Sequence, residues 1–433
     1  MIKKYLPKSE FGKNVLTLVT GTTIGQVIPI AISPILTRLY SPEEFGFFAI
    51  FISITAIFSV IASGRFEFAI VVVEEDEVAL NLTALGITIS FFLSVFTFFL
   101  VLFFHSVFAE WLGSAALSNY LFLVPVALFL NGVYQTLAQL LNRKKQYSFM
   151  SYSKITQPIA GSGVQIIFGL LNWGTGLILG NVIGILGAAG ILWLKSKEYI
   201  FQSLHSFKKE TLIKTIKDFS DIPKYSLLGT LINSLSFNLG SIILTAIYNP
   251  TLVGFNALIY RVLSTPSMVI GTSVSQVYAE QASVERRKTG FAKHTFQYTS
   301  KRMMLLGLPI FILLFFIIEE LFAIVFGEEW RMAGYYARFV LPLFLVRFVS
   351  TTLSVTMNIF EQWKRSLWVH TSLLLGTLIM FGAAKYGELS FEYYLAMNTA
   401  LLSVLYIIFY FYYRNLANTS KYHIEKSEPS RNE

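Results

Sequence analysis

The chain has 433 residues, of which 54% are hydrophobic, 16% aromatic and 14% charged, with a mean hydropathy of +0.60. A soluble domain carries roughly 25% charged residues, so an exterior this poor in charge is built for lipid, and the chain reads as an integral membrane protein. The absence of cysteine excludes disulfides, thiolate metal sites and thiol catalysis, and the net charge of +9 lies between apolar runs, which points to the positive-inside bias of membrane proteins and not to nucleic acid.

At 1.5 Å rise per residue, about 20 apolar residues cross roughly 30 Å of hydrocarbon. About twelve such runs occur, at 14–37, 46–71, 80–104, 119–141, 150–171, 174–194, 223–248, 254–280, 303–325, 335–359, 366–385 and 391–413. The first follows Lys3, Lys4, Lys8 and Lys13 and has no A-x-A cleavage site, so it reads as a retained helix. Pro29, Pro34, Pro125 and Pro158 fall inside runs and predict kinks. With the amino terminus cytoplasmic, 26 of the 34 Lys and Arg fall in inner segments and only Arg38, Arg331, Arg338 and Lys385 in outer ones. That bias places both termini, the connection 195–222 and a polar tail at 414–433 in the cytoplasm.

Residues 35–49 align with 243–257 at an offset of 208, and the same offset sets Gly21-Thr22 on Gly229-Thr230. Six crossings separate the copies, so they run parallel, as in transporters built from repeated halves. The expected architecture is all-α: a six-helix lobe at 1–194 and another at 223–413, around a central cavity.

Polar residues in the runs mark candidate cavity walls. The first run carries Thr22, Gln26, Ser33 and Thr37 at helical spacing, and the seventh carries Thr230, Ser234, Asn238, Ser241 and Thr245. A one-sided stripe faces either a cavity or a neighbouring helix. Asn131, Gln135 and Gln139 form a further ladder in the fourth run, whereas Gly176, Gly180, Gly184 and Ala188 make a smooth packing ridge in the sixth.

Cations within runs are few. Arg347 lies 12 residues into its run, about 18 Å deep, with Thr351, Ser354 and Asn358 continuing its face. Arg261 lies roughly 10 Å into the eighth run, with Thr265, Thr272 and Gln276 on a similar face. Arg65 with Glu67, and Lys154, sit nearer the inner ends of theirs, where snorkelling competes as an explanation. A guanidinium near the midplane is costly unless an anion meets it, so Arg347 leads the candidate substrate contacts, followed by Arg261, Arg65, Asn238 and Gln26. Glu67 is the weaker candidate for an ion-coupling site, with structural pairing to Arg65 as its rival. No Walker loop, H-E-x-x-H or G-x-S-x-G occurs, and the five histidines show no paired spacing, so neither enzyme nor metal chemistry is expected.

Four segments carry a resemblance: LTRLYSPEEFG at 36–46, ASGRFEFAI at 62–70, LNRKK at 141–145 and FGEEWRMAG at 326–334. Together they resemble the hallmarks of the O-antigen and capsule flippases of the multidrug/oligosaccharidyl-lipid/polysaccharide exporter superfamily. The resemblance runs over nearly the whole chain and implies two six-helix lobes in the bacterial inner membrane. It also implies a lipid-linked oligosaccharide on an undecaprenyl diphosphate carrier as substrate, moved from the cytoplasmic to the outer leaflet in a polysaccharide or lipopolysaccharide pathway. No cofactor is expected beyond proton or sodium coupling, and a polysaccharide polymerase or other assembly partners fit that setting. Arginine donors suit a diphosphate head. The rival within the superfamily, a multidrug cation antiporter, would want intramembrane carboxylates, of which Glu67, Glu319 and Glu320 are the candidates.

Overall fold

A computed structural model describes residues 10–112, 114–202, 219 and 221–418. Twelve long helices follow one another: α1 (Glu10–Leu39), α2 (Pro42–Ser59), α3 (Asp76–Trp111), α4 (Leu123–Arg143), α5 (Tyr147–Leu170), α6 (Gly176–Gln202), α7 (Asp221–Ile247), α8 (Pro250–Thr289), α9 (Lys293–Phe326), α10 (Arg331–Leu353), α11 (Trp363–Tyr386) and α12 (Phe391–Asn418). Short helices at Glu67–Val72, Leu117–Leu121 and Thr356–Ile359 join them, and no strand occurs among the described residues. Among the described residues, nine of these helical stretches are long and apolar enough to cross a membrane. The protein is thus an all-α, multi-pass membrane protein. Phe92, Phe96 and Phe103 of α3 and Leu305, Leu313 and Phe316 of α9 are exposed, as lipid-facing side chains are.

Three expectations change. The run at 46–71 is not one helix: α2 stops at Ser59, a turn follows, and a separate helix begins at Glu67. The run at 335–359 is likewise interrupted after Leu353. Helices α6, α8, α9 and α12 outrun their apolar stretches, α12 reaching Asn418 into the expected tail, because helix formation continues after the hydrophobic signal ends. Most of the connection 195–222, and the tail beyond Asn418, lie outside the described residues.

The chain forms two compact units, Met1–Ala257 with Val325–Glu329, and Leu258–Ile324 with Trp330–Glu433. In the first, α5 packs along both α1 and α6, and α7 packs on α2. The ridge on α6 is a seam: a Cβ on Gly180 would strike the Gly161 carbonyl, and one on Gly184 the Gln157 carbonyl, both on α5. The helix Glu67–Val72 buries Phe66, Ala69 and Ile70 against Leu80, Leu82 and Leu85 of α3 and Leu140 of α4.

The repeat is visible as a reciprocal contact. Ser41 and Glu44 form a capping box at the start of α2, and Asn249 Oδ1 accepts from the Leu252 amide at 2.9 Å at the start of α8. Just inside these caps, a Cβ on Gly46 would overlap the Pro250 carbonyl and a Cβ on Gly254 would overlap the Pro42 carbonyl. Both pairs are 208 residues apart, so each copy meets the other through the same surface, as a two-fold relation requires. Farther on, α5 and α11 have 24 residues each at an offset of 216, flanked by left-handed Lys145 and Glu361 before them and Asn172 and Glu388 after them.

Candidate functional site

In the second unit, α8 and α10 turn polar stripes toward each other. Ser264, Gly271, Thr272, Ser275 and Gln276 fall on one face of α8, and Phe344, Arg347, Phe348, Thr351 and Thr352 on one face of α10, as the 3.6-residue period dictates. With Ser354 they line a cavity of about 580 Å³, within the range of small-ligand pockets. Edge-to-face packing of Tyr260 on Phe344, at 5.3 Å, lies on its Pro250 side. The Tyr278–Thr356 hydroxyl pair at 2.7 Å crosses between the elements on the other side, one turn beyond Ser275. A Cβ on Gly271 would come within 3.1 Å of Thr352 Oγ1, so this glycine permits the close approach of the two walls.

Among the described residues, the lining holds one guanidinium and no carboxylate. Arg347 is half-buried, with its guanidinium carbon 5.8 Å from the centre of the Phe344 ring. Thr351 donates to the Arg347 carbonyl at 2.7 Å, Thr352 to the Phe348 carbonyl at 2.8 Å and Ser354 to the Thr351 carbonyl at 2.7 Å. With their protons engaged by backbone, these hydroxyls keep lone pairs for donors that enter the cavity, while Arg347 presents N–H groups to acceptors. The chemistry suits a ligand that is anionic at one place and rich in hydroxyls at another.

The other sequence candidates are dispersed. Arg261 lies on α8 one turn before Ser264, outside the cavity lining, and Asn358 stands exposed on the short helix after the break. The Thr265 side chain lies outside the described residues. In the first unit, Arg65 occupies the turn after α2 and not a continuous helix. It has φ +64°, donates to Ser226 at 3.2 Å and Thr230 at 3.0 Å on α7, and stacks over Phe68 at 4.2 Å. Glu67 is buried, accepts from Ser63 at 2.7 Å and lies 3.7 Å from Arg65. Asn238 bonds the Ser234 carbonyl at 2.9 Å within α7, and Gln26 is half-buried on α1.

The duplicated stripe of α1 and α7 divides along its length. Ser33, Thr37 and Thr245 are buried and bond carbonyls of their own helices, so they pack against protein instead of lining a cavity. Thr22, Gln26, Thr230 and Asn238 stay half-buried. On α4, Gln135 reaches the Ser59 carbonyl at 3.4 Å, an acceptor released where α2 ends. Sequence reasoning passed over Ser264, Gly271, Ser275 and Thr352, whose spacing on α8 and α10 was the available signal.

The chain is a parallel-repeat, all-α membrane protein with a cavity between α8 and α10. Its fold matches an inward-facing multidrug resistance MATE family transporter of the MOP superfamily, with a TM-score of 0.72 and 13% identity, covering 95% of this chain and 100% of the other. It also matches the lipid II flippase MurJ in an inward closed conformation (TM-score 0.67, 14% identity, 96% of this chain and 94% of the other). A further match is a MOP superfamily transporter from Pyrococcus furiosus described as having a binding pocket of reverse polarity (TM-score 0.60, 14% identity, 94% and 96%). No curated protein sequence matches. Residues 35–334 match the polysaccharide biosynthesis protein family, and the chain belongs to it. The fold it shares with these structures is that of the MOP superfamily.

Proposed function

We propose that the protein flips an undecaprenyl-diphosphate-linked oligosaccharide, an O-antigen, capsule or exopolysaccharide repeat unit, across the bacterial inner membrane by alternating access. The observation that carries this reading is the cavity between α8 and α10, whose described lining residues include one arginine, many hydroxyls and no carboxylate. Arg347 would bind diphosphate oxygens through its planar fork, and the serine and threonine lone pairs would accept from sugar hydroxyls. Arg261 extends the positive charge along α8, and Arg65, Asn238 and Gln26 offer polar contacts in the first unit. Both termini are cytoplasmic in this scheme, and Glu67, beside Arg65, is the site at which proton or sodium coupling would act. The family match supports the polysaccharide setting.

Complementation of a strain that lacks its flippase tests this, with folded protein quantified in the membrane. Arg347→Ala removes charge and donors and should abolish surface polysaccharide, while Arg347→Lys, which keeps charge but loses the fork, should leave partial function. Arg347→Ala at normal abundance with full surface polysaccharide would overturn the reading. Export of a lipophilic cation dye by the wild type, without polysaccharide rescue, would replace it by multidrug cation export.

A further inference from the structure

Thr22 on α1 and Thr230 on α7 are the same position in the two repeat copies, 208 residues apart. Each hydroxyl donates to the carbonyl four residues earlier, Thr22 to Leu18 at 2.7 Å and Thr230 to Ser226 at 3.0 Å. A hydroxyl has one proton, so each threonine then presents only lone pairs away from its helix. Each has a cation there: Arg65 Nη2 donates to Thr230 Oγ1 at 3.0 Å, and Lys154 Nζ donates to Thr22 Oγ1 at 2.8 Å. A duplicated hydroxyl thus orients two different cations, drawn from unrelated places in the sequence.

The two cations differ in what balances them. Arg65 has the Glu67 carboxylate 3.7 Å away as a counter-charge. No carboxylate forms an ion pair with Lys154 among the described residues, and its side chain is half-buried. An ammonium has three donors, of which Thr22 engages one. Lys154 lies about 10 Å along α5 from Tyr147, and a cation held within a membrane helix by a neutral hydroxyl lacks half of an ion pair. Its placement is rigid, because Gly21 and Gly25 let α1 approach the backbone of Ser151 and Lys154 on α5. Gln26 follows Thr22 by one turn on the same face of α1 and can add amide donors.

We propose that Lys154, oriented by Thr22, is a phosphate-binding residue of the first unit, which contacts the diphosphate oxygens of a lipid-linked substrate. This rests on the function proposed above. It assigns the missing counter-charge of Lys154 to the ligand, whereas Arg65 already has that of Glu67.

The test is binding by purified full-length protein in nanodiscs of zwitterionic lipid, titrated separately with undecaprenyl diphosphate, inorganic pyrophosphate and phosphatidylglycerol. Lys154→Gln should weaken undecaprenyl diphosphate binding at least tenfold, Lys154→Arg should stay within about threefold of wild type, and pyrophosphate should compete with the lipid. Thr22→Val, which keeps the lysine and removes only its acceptor, should weaken binding about threefold and carries the test if Lys154→Gln does not fold. Wild-type affinity in a folded Lys154→Gln or in Thr22→Val, while Arg347→Ala loses binding, overturns this inference alone. A change confined to phosphatidylglycerol overturns it in favour of a headgroup anchor. Failure of the wild type to bind undecaprenyl diphosphate overturns both this and the proposed function.

Discussion

Helix α2 ends at Ser59 and α10 at Leu353, and a short helix follows each, but the connecting backbones differ. After Ser59 the chain passes through Gly64 and Arg65, both at φ +64°, a left-handed pair that an L-residue enters at a cost. The Ser59 carbonyl freed there accepts from Gln135 of α4, and Arg143 of α4 closes the far end of the short helix, donating to Ile70 at 3.2 Å, to Glu74 at 2.7 Å and to Val73. After Leu353, Ser354 and Val355 keep helical φ of −61° and −60°, and hydroxyls do the capping, Thr356 bonding Leu353 at 2.6 Å. Arg286 closes the far end by donating to Ile359 while stacking on Phe360 at 4.8 Å. The first bend is locked by sterics and guanidinium bonds; the second is a soft kink beside the Arg347 cavity, and soft kinks are where helices reshape at small cost.

The firmest test of the repeat is Gly46 against Gly254. Each glycine faces a backbone carbonyl of the other copy, which cannot rotate away as a side chain can. Gly46→Leu and Gly254→Leu should therefore each abolish folded protein in the membrane, measured by size-exclusion fluorescence. Normal yield for one and loss for the other would break the reciprocity. A smaller contrast is expected at the bends. Gly64→Val puts a β-branched residue at φ +64°, where its Cβ would also meet Ile89 at 3.0 Å, and should cost about 2 kcal/mol or more and most of the folded yield. Val355→Ala, in helical backbone, should stay within about 1 kcal/mol of wild type in thermal unfolding. Equal losses would mean that the second bend is as tightly specified as the first.

Much of this was legible in the sequence, for physical reasons. The twelve runs stood out because hydrocarbon demands them, the glycine ridge on α6 because its four-residue period admits few other uses, and the Arg347 face because a cation in an apolar run is costly. The break after Ser59 was hidden, since Arg65 and Glu67 interrupt an otherwise apolar run only briefly and one glycine is tolerated in a helix; the donor to its freed carbonyl, Gln135, comes from a helix distant in sequence. The sequence leaves Ser33 and Thr37 between a cavity and a neighbouring helix, because polarity alone does not say which; each hydroxyl in fact bonds a carbonyl of its own helix and is buried. Of the α8 wall, Thr272 and Gln276 were legible, whereas Ser264, Gly271 and Ser275 were not, because they are small and neutral and barely disturb the hydropathy. The equivalence of α5 and α11 was missed because its offset of 216 is not the 208 of the earlier helices.

The smallest expected effect comes from the helices that follow each copy's second element. Helix α3 starts with Asp76 and Glu77, so its positive end meets carboxylates of its own first turn. Helix α9 starts with Lys293 and has no acidic residue in its first turn. Its carboxylate comes instead from α8: Glu285 accepts from the His294 amide at 2.9 Å and the Thr295 amide at 2.8 Å. Burial pushes the Glu285 carboxyl up, but the hydrogen bonds from Thr295 and His294 outweigh it and hold the carboxyl below the usual carboxylate range. A carboxyl lowered on folding stabilises above its unfolded-state value, and the stabilisation is lost as pH falls through the folded one. Glu285→Gln should therefore lower stability by about 0.5–1 kcal/mol at pH 7, the range for a helix-terminal cap, and the gap to wild type should narrow as the pH is taken below about 4. Thermal unfolding of both proteins across that range reads the gap directly. A gap that stays constant with pH would mean that Glu285 acts through packing, and that the second copy leaves the start of α9 without the charge the first supplies to α3.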